Sequence, residues 1–520
     1  MIPAIVAITP IIIIFLGLVV FKKGGTTMGV LGWLLCCFLS VFYFKTPIDI
    51  VLGASYYGIL KSLGITLIVS FSILQIIFME KTGALKRIIS EIKRYDFEKP
   101  ELIMLLNIGF GSFLVGIGAT PVSMLPPIMM GLGFSPFLSI VLPCLGYNPL
   151  TSFALLGIPI TLPAEYIATS IYNNPAAAEQ IAFDIGLKVS IYLPFISTGF
   201  AFGMLYFVGK WRMVKKGAPY ALISGLVLAF TTMIFAKLTG PMIPGIFGGL
   251  AVVLALIAYK KYRTGKVERK EFKSDFPLWK ALFPWITLVV FSLVVSLAVF
   301  NHLGPYKLLT TPFIVHVLAN RSVDLQILSK AYFWVLVSTV ISIPILKPTK
   351  EQLRDITKTW IIRGYKPMIA AAVFFAIAFV MDWSGNSIVN GKLTLVDTGR
   401  NMNYAIGDAI SKSGPFYALL APLLGLFGAV VAGSETPSNV MFARIQYIAT
   451  TKLLGEKNYL QIIAAHSTAG GIASGITPAK IINAAAVVNK IGIEGEVIKK
   501  TLVLCILLTI LTGIITMFLV

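Results

Sequence analysis

Apolar runs long enough to cross a lipid bilayer recur along this chain, and they restrict its fold more than any other feature. Each such run needs about 20 residues. Of the 520 residues, 57% are hydrophobic and only 12% are charged, whereas soluble domains carry roughly 25% charged residues. The sequence therefore predicts an all-α, polytopic integral membrane protein with about 12 transmembrane helices, some of them re-entrant or broken. The clearest runs are Pro3–Phe21, Met28–Phe44, Ser62–Met79, Ile185–Val208, Tyr220–Phe235, Pro241–Tyr259, Ala281–Val299, Ala331–Leu346, Pro367–Met381, Pro415–Ala432 and Thr501–Val520.

The basic residues lie in short loops between these runs. The net charge of +21 could indicate a nucleic-acid partner, but this distribution is typical of cytoplasmic loops that set membrane orientation and contact anionic lipid. We therefore expect a multi-pass protein of the plasma membrane that contacts lipid and binds no nucleic acid. Lys22 and Lys23 follow the first run and no basic residue precedes it, so we expect a retained first helix rather than a signal peptide. The basic loops are Lys81–Arg94, Lys210–Lys216, Lys260–Lys273 and Lys347–Arg363.

Cysteine and histidine, which often ligate metals, are few and scattered. Cys36, Cys37, Cys144 and Cys505 all lie in apolar runs, and no metal, phosphate-binding or dinucleotide motif occurs. We therefore predict no cofactor, no metal and a carrier rather than a membrane-embedded enzyme. A channel is also disfavoured, because the polar residues form two local interruptions rather than stripes along a pore.

The main polar interruption lies near the C-terminal end. It comprises Gly433–Asn439, Ala464–Gly471 and Gly475–Lys480, all rich in Gly, Pro and small polar residues. Irregular backbone at membrane depth is tolerated only where protein or a water-filled cavity satisfies its polar groups. Broken helices of this kind commonly hold the substrate of a transporter.

A weaker copy of this pattern occurs in the first third of the chain. Four features recur in one order, and the spacing from proline to polar residue is 27 residues in one copy and 29 in the other. This predicts two inverted-repeat-like halves, residues 1–260 with a core at 100–165 and residues 261–520 with a core at 415–490, meeting at the bilayer midplane. The matching pairs are Thr120-Pro121 with Thr436-Pro437, Leu132-Gly133 with Leu454-Gly455, Asn148 with His466, and Gly157–Pro159 with Gly475–Pro478.

At these residues the chain resembles the L-lactate permease family. The family's Gly-Ser-Asp-Thr-Ser-Ser-Asn segment is similar to Gly433–Asn439, and its Ala-Ala-Asn-Thr-x-Gly-Gly segment is similar to Ala464–Gly471. In the first half, the family's Gly-Phe-x-Phe-Gly-Ala-Phe-Leu-Glu-Gly is similar to Gly109–Gly116. The resemblance is good over roughly residues 100–160 and 360–510 and loose elsewhere.

The resemblance implies symport of a small monocarboxylate, such as lactate or glycolate, with protons. Glu435 replaces the family's Asp, His466 replaces its Asn, Val115 replaces a Glu, and Lys480 stands where the family is usually uncharged. These differences leave another small organic anion open, such as a dicarboxylate, a sulfonate or an amino acid. They also leave Na⁺ open as the coupling ion.

Glu435 is the candidate proton-coupling residue. Ionisable groups at membrane depth are costly and usually serve a pathway or pair with another group, and a carboxylate there can take up and release a proton. The alternative is a capping role at the start of a helix beginning at Pro437, where the helix dipole favours negative charge.

The candidate substrate-binding residues lie around the interruptions. Hydroxyl and amide side chains at a helix start, with the free N–H groups there, suit an anion, although capping and helix packing explain small polar residues equally well. For Arg444, the alternatives are pairing with Glu435 or snorkelling towards lipid head groups. For Lys480, the alternative is a place at the start of a helix near the cytoplasm. For His466, the alternative is a hydrogen-bonded packing role. The predicted substrate-binding residues are Thr120, Ser123, Asn148, Thr436, Ser438, Asn439, Arg444, His466 and Lys480.

Three further residues have weaker signals. Glu165, just beyond Pro163, is expected at the mouth of the first half. His302 and His316 have no motif around them and are expected to be structural.

Overall fold

The chain folds mainly into helices that cross a common core. The computed structural model describes residues 1–520 except 22, 95–96, 266–275, 297–310, 326, 489 and 491. His302 and the basic residues Lys266, Arg269, Lys270 and Lys273 lie outside the described residues. The helices are α1 (Ile2–Val19), α2 (Gly25–Phe42), α3 (Ile48–Lys81), α4 (Ala84–Lys93), α5 (Lys99–Ile103), α6 (Gly111–Gly116), α7 (Pro121–Gly131), α8 (Pro136–Gly146), α9 (Ala154–Tyr166), α10 (Ala178–Thr239), α11 (Pro244–Thr264), α12 (Leu278–Ser296), α13 (Ala331–Ile341), α14 (Ile343–Leu346), α15 (Lys350–Trp383), α16 (Met402–Ile410), α17 (Tyr417–Ala432), α18 (Glu435–Leu453), α19 (Tyr459–Ile472), α20 (Pro478–Ala486) and α21 (Glu494–Leu519).

The lengths and composition of these helices fit a membrane protein. Among the described residues, seven helices are long and apolar enough to cross a membrane, and five shorter apolar helices accompany them. Helix α10 is interrupted at Gly209 and Lys210. It therefore forms two helical segments, which match the apolar runs Ile185–Val208 and Tyr220–Phe235 predicted from the sequence. A polytopic helical fold is confirmed, while the number of spans stays a prediction.

The basic loops meet at one end of the molecule, here called the basic face. Lys81 Nζ lies 2.7 Å from an oxygen of Asp355, and Lys216 Nζ lies 3.2 Å from an oxygen of Glu98. These contacts join the loop after α3 to the start of α15, and the loop before α5 to the middle of α10. A shared end agrees with the predicted cytoplasmic placement of these loops.

Two β-hairpins lie at the opposite end, here called the hairpin face. Strands β1 (Ile314–Leu318) and β2 (Arg321–Asp324) pair antiparallel, as do β3 (Asn386–Val389) and β4 (Lys392–Leu395). The Leu393 N–H donates to Asn320 Oδ1 at 3.0 Å and joins the two hairpins. These strands were not predicted from the sequence, because they are only four or five residues long and therefore show too short an alternation of apolar and polar residues.

Short 3₁₀ and π segments join the helices near the core. A π-helical segment, Met104–Phe110, joins α5 to α6, and another, Ile167–Ile171, follows α9. The 3₁₀ segments are Asn148–Phe153, Pro175–Ala177, Ile327–Ser329, Thr398–Arg400, Ser411–Phe416, Glu456–Asn458 and Ala473–Gly475.

Two helical hairpins and two interrupted helices form the centre of the fold. The first hairpin is α6–α7 and the second is α17–α18, while α8–α9 and α19–α20 are each interrupted by a 3₁₀ segment. Helix α7 packs against α20, and α18 packs against α9. Each hairpin therefore contacts the interrupted helix of the other half, which is the arrangement that a two-fold relation between the halves predicts.

Candidate functional site

The second hairpin turns immediately before Glu435. Helix α17 ends at Ala432, Gly433 has a left-handed φ of 71°, and α18 begins at Glu435. A left-handed residue favours glycine, which explains the Gly at this tip. The helix was expected to begin at Pro437, and this is wrong by two residues: Pro437 lies inside the first turn, where its missing N–H has no intrahelical role. Glu435 thus occupies the first helical position, beside free backbone N–H groups.

The first hairpin turns in a similar way before Thr120. Gly118 has a φ of 90°, Thr120 flanks the start of α7, and Pro121 is the first residue of that helix. Thr120 is exposed and Ser123 is half-buried. The Asn483 amide of α20 donates to Ser123 Oγ at 2.8 Å, so this tip meets the second half of the chain.

The two interrupted helices meet where their breaks lie. After α8, residues Asn148–Phe153 form a 3₁₀ segment, and Leu155, Leu156 and Gly157 then have positive φ angles of 52°, 57° and 77°. The Asn148 amide donates to Ile472 O at 3.4 Å. The backbone around Asn148 therefore contacts the end of α19, as the pattern of interruptions predicts.

The second break is not at His466, and that prediction is wrong. His466 lies within α19, which continues to Ile472 and is followed by the 3₁₀ segment Ala473–Gly475. Small polar residues such as His-Ser-Thr are tolerated inside a helix when their side chains find partners. The interruption instead precedes Pro478, whose ring would clash with a continuing helix.

Four buried side chains form what is here called the carboxylate cluster: Glu435, Ser152, Ser467 and Asn439. Glu435 Oε1 accepts a hydrogen bond from Ser152 at 2.7 Å and another from Ser467 at 2.6 Å. The Asn439 amide donates to Ser467 Oγ at 3.0 Å and to Pro159 O at 2.9 Å, with a longer contact of 3.5 Å to Glu435. The cluster joins the 3₁₀ segment of the first half to two helices of the second.

Several oxygens around this cluster have no hydrogen-bond partner among the described residues. They are Glu435 Oε2, Thr436 Oγ1, Asn439 Oδ1 and Asn148 Oδ1, all buried. A buried polar atom without a partner costs about 1–3 kcal/mol. The geometry therefore indicates a place for a proton, water, ion or ligand rather than a finished packing arrangement.

Two glycines on α19 leave room for the Glu435 side chain. A Cβ on Gly470 would lie 2.9 Å from Glu435 Cγ, and one on Gly471 would lie 3.3 Å from Glu435 Oε2. The Gly471 position also lies 3.2 Å from the backbone oxygen of Asn148. The Gly-Gly pair thus lets the second hairpin approach both the interrupted helix and the first half of the chain.

His466 is fully buried and satisfied by protein groups. Its Nε2 lies 3.2 Å from Ser438 Oγ, and its Nδ1 lies 3.0 Å from Gln446 Nε2. Because the Gln446 amide nitrogen also donates to Ala421 O at 3.1 Å, the network assigns Nδ1 as an acceptor and places the proton on Nε2. These contacts are those of a packing histidine, and its role in substrate binding stays a prediction.

Lys480 lies beside the site with its charge unpaired by any described carboxylate. Its Nζ lies 2.5 Å from Ser474 Oγ and 5.7 Å from the centre of the Tyr147 ring. Ser474 lies in the 3₁₀ segment after α19, next to Gly475, where an added Cβ would lie 3.0 Å from the Asn148 amide nitrogen. The start of α20 therefore brings a cation towards the carboxylate cluster.

Arg444 lies in a different cluster. It forms an ion pair with Asp382 of α15 and also donates to Ser170 O. Tyr166 donates to the same Asp382 oxygen at 2.8 Å. The structure does not bring Arg444 together with the carboxylate cluster, and its role in substrate binding also stays a prediction.

Sequence reasoning missed Ser152, Ser467 and Asp382 as members of these networks. Ser152 follows Asn148-Pro149 in the predicted break, and Ser467 follows His466 in the family-like segment, so both had a positional signal. The partner of Arg444 had none, because Asp382 lies 62 residues away in the chain.

Comparison with known proteins agrees with the resemblance seen in the motifs. The family model described as L-lactate permease matches residues 3–520. The chain belongs to the L-lactate permease family. Among curated relatives, the glycolate permease of Escherichia coli (strain K12) is 25% identical over 99% of this chain and 95% of its own length. The L-lactate permeases of Halalkalibacterium halodurans and Bacillus subtilis are 24% and 23% identical, over 96% and 99% of this chain and 93% and 95% of their own lengths.

Membership of the L-lactate permease family fixes the broad class of this protein. It is a multi-pass membrane transporter of the plasma membrane and not an enzyme. No solved structure matches the fold. Among the described residues, no group of three or more His, Cys, Asp or Glu side chains could hold a metal ion.

Proposed function

We propose that this permease is a secondary active transporter of a small monocarboxylate of the lactate or glycolate type, driven by proton symport. The relatives named above are lactate and glycolate permeases, and they align over nearly the whole chain. The single observation that carries the coupling is Glu435, a buried carboxylate with one oxygen bound by two hydroxyls and the other without a partner among the described residues. A proton on Oε2 would neutralise this group without disturbing the bonds to Oε1.

The charges around the site favour a singly charged substrate. Lys480 and an ionised Glu435 sum to zero, and Arg444 is already neutralised by Asp382. One monocarboxylate bound with one proton keeps the sum at zero, whereas a dicarboxylate would add a second, uncompensated negative charge. An uncompensated charge at membrane depth is costly, at about 2.5–3.5 kcal/mol even on insertion scales.

In this proposal, Lys480 supplies the counter-charge for the substrate carboxylate. Proton uptake by Glu435 would remove a negative charge on the side of the site that Lys480 faces, so the ammonium would then attract an anion more strongly. The accessible hydroxyls of Thr120 and Ser123, at the start of α7, lie on the same side as α20. These side-chain hydroxyls can donate hydrogen bonds to the substrate carboxylate oxygens and can bond the hydroxyl of a 2-hydroxy acid.

The two halves would supply the alternating access that uphill transport requires. We propose that residues 1–260 and 261–520 are structurally related halves, because each contributes one hairpin and one interrupted helix and each hairpin packs on the other half. Rocking of one half against the other around a site at their junction is the usual mechanism in such folds.

Na⁺ symport is the second candidate, and one observation favours it. Besides Glu435 Oε2, the side-chain oxygens of Asn148, Thr436 and Asn439 are buried without a hydrogen-bond partner among the described residues. Oxygen donors at broken helices are the groups that coordinate Na⁺ in transporters. Either ion would therefore act at the same carboxylate.

Uptake by the purified protein in proteoliposomes tests the proposal. Radiolabelled L-lactate, glycolate, succinate, a sulfonate and an amino acid would be offered under an imposed pH gradient or an imposed Na⁺ gradient. We expect lactate or glycolate to accumulate under the pH gradient alone, and a protonophore to abolish the accumulation. Accumulation that follows only the Na⁺ gradient would transfer the coupling to Na⁺, and uptake of none of the monocarboxylates would refute the substrate class.

A further inference from the structure

A partly buried group of ion pairs near the hairpin face joins three elements of the chain. Lys61 Nζ of α3 lies 2.7 Å from Glu165 Oε1, in the last turn of α9, and Lys330 Nζ lies 3.6 Å from Glu165 Oε2. The side chains of Lys61, Glu165 and Lys330 are only 11%, 24% and 30% exposed. Two cations therefore converge on one carboxylate at the point where Glu165 was expected to mark the mouth of the first half.

This ion pair separates two small cavities. Both cavities are lined by Lys61, Leu162 and Glu165. The outer cavity is also lined by Val323 of β2 and by Lys330, and thus lies at the hairpin face. Asp324 lines it as well, with its Oδ1 accepting the Phe313 N–H at 2.9 Å.

The inner cavity lies between α9, α15 and α18. It is lined by Phe375 and Phe379 of α15 and by Val440 of α18. Val440 follows Asn439, whose amide donates to Pro159 O and contacts Glu435. Val440 lies five residues after Glu435, about 7.5 Å along the axis of α18. The cavity is also lined by Tyr166, which donates to Asp382, and the Lys61–Glu165 pair lies between it and the hairpin face.

We propose that Lys61 and Lys330 form an outer binding site for the carboxylate of a small monocarboxylate, and that Glu165 occupies this site as an internal substitute. The proposal rests on the proposed function. A glutamate side chain ends in the same planar anion as the substrate, so the two compete for the same ammonium groups. Displacement of Glu165 from Lys61 would open the partition and let the substrate pass to the inner cavity.

The arrangement of distances sets the order of events. The Lys330–Glu165 contact is long at 3.6 Å and the Lys61–Glu165 contact is short at 2.7 Å. Charge-assisted hydrogen bonds have lengths of about 2.7–2.9 Å, so Lys330 is held more weakly and meets an incoming anion first. Lys61, which is the more buried of the two, completes the transfer.

Cysteine labelling tests the partition without any substrate. The full-length Val440→Cys protein in proteoliposomes would be labelled with a membrane-impermeant thiosulfonate added at the hairpin face. The protein without this change gives the background labelling of the four native cysteines. We expect Glu165→Gln to speed labelling of the Val440→Cys protein by about fivefold, and Lys61→Met to do the same. Losing a partly exposed ion pair shifts the equilibrium between a closed and an open partition by about this factor. Lys452→Met, which breaks the exposed pair with Asp408, is the matched control and should leave the rate unchanged.

Transport kinetics test the anion site. For external lactate, Glu165→Gln should lower KM and Lys330→Met should raise it, each by about three- to fivefold, with maximal rate retained. A merely structural ion pair predicts that both variants move KM in the same direction or not at all, and that result would overturn the outer site. Thermal unfolding in detergent identifies any of the variants Glu165→Gln, Lys61→Met and Lys330→Met that fails to fold. If one fails, the other two test the outer site.

The two proposals fail in distinguishable ways. If the wild-type protein transports no monocarboxylate, the proposed function and the ligand of the outer site are both wrong, while the labelling still decides whether Glu165 closes the partition. If the wild type transports lactate but labelling and KM are unchanged in the variants, the outer site alone is wrong.

Discussion

Replacing Glu435 by glutamine separates proton coupling from substrate movement. The change is nearly isosteric, and the amide oxygen can still accept the hydroxyls of Ser152 and Ser467, now at 2.7 and 2.6 Å from Oε1. The amide nitrogen would replace Oε2, which has no hydrogen-bond partner within the described ranges. We therefore expect the fold to survive, with a loss of function confined to the proton that the amide cannot carry.

The size of the effect follows from the driving force. A pH gradient of about two units supplies about 2.7 kcal/mol for each proton, which supports about 100-fold accumulation of a monocarboxylate at a ratio of one proton to one anion. We expect wild-type proteoliposomes to approach this ratio and Glu435→Gln to stay near equal concentrations. Counterflow of labelled lactate against unlabelled lactate should persist in the variant, because exchange moves no net proton.

The measurement needs one matched variant. Glu456→Gln removes an exposed carboxylate of the same half, whose only described side-chain contact is with Tyr447 at 3.2 Å, and it should accumulate lactate as the wild type does. If Glu435→Gln still accumulates lactate against its gradient under a pH gradient, Glu435 serves only the start of α18. Loss of counterflow together with accumulation would instead assign Glu435 to substrate binding.

Three further outcomes are expected. Thr436→Val removes a buried hydroxyl that has no partner in the described part of the chain, so substrate affinity in calorimetry should fall by about fivefold to tenfold while the melting temperature is kept or raised. Lys480→Met should raise KM for lactate at least tenfold, and Lys480→Arg should have a KM between those of Lys480→Met and the wild type. Equal KM values in the wild type and both variants would show that Lys480 does not bind the substrate. Arg444→Met leaves Asp382 as a buried charge without its cation and should lower the free energy of unfolding by about 3–5 kcal/mol. Adding Asp382→Asn should restore part of this loss, and a normal melting temperature in Arg444→Met would contradict the pairing.

The Thr-Pro pairs were the most informative sequence signals, because proline and glycine restrict the backbone locally. Thr120-Pro121 predicted the start of α7 correctly, and Gly433 with Thr436-Pro437 predicted the turn of the second hairpin to within two residues. The polar His466 misled, because a polar side chain can be accommodated in a helix when partners such as Ser438 and Gln446 are brought to it by the fold. Local sequence cannot reveal those partners.

The contacts within the carboxylate cluster could not be predicted for a related reason. Ser152 and Glu435 are 283 residues apart, and neither has a local pattern that points to the other. The family resemblance drew attention to Glu435 but not to Ser152. Similarly, the sequence suggested the substrate or Glu435 as the partner of Arg444, whereas the end of α15 brings Asp382 to it.

The separation between Ser152 and Glu435 has a consequence for how the protein is made. Chains are synthesised at about 5–20 residues per second, so about 15–60 s pass between the emergence of these two residues from the ribosome. During this time Ser152 and the 3₁₀ segment from Asn148 to Phe153 lack the helices that later enclose them. Polar backbone exposed to lipid is costly, so this segment must be sheltered, at the insertion machinery or in the headgroup region, until α18 and α19 arrive. We therefore expect the first interrupted helix to reach its final position only after α18 and α19 have been synthesised.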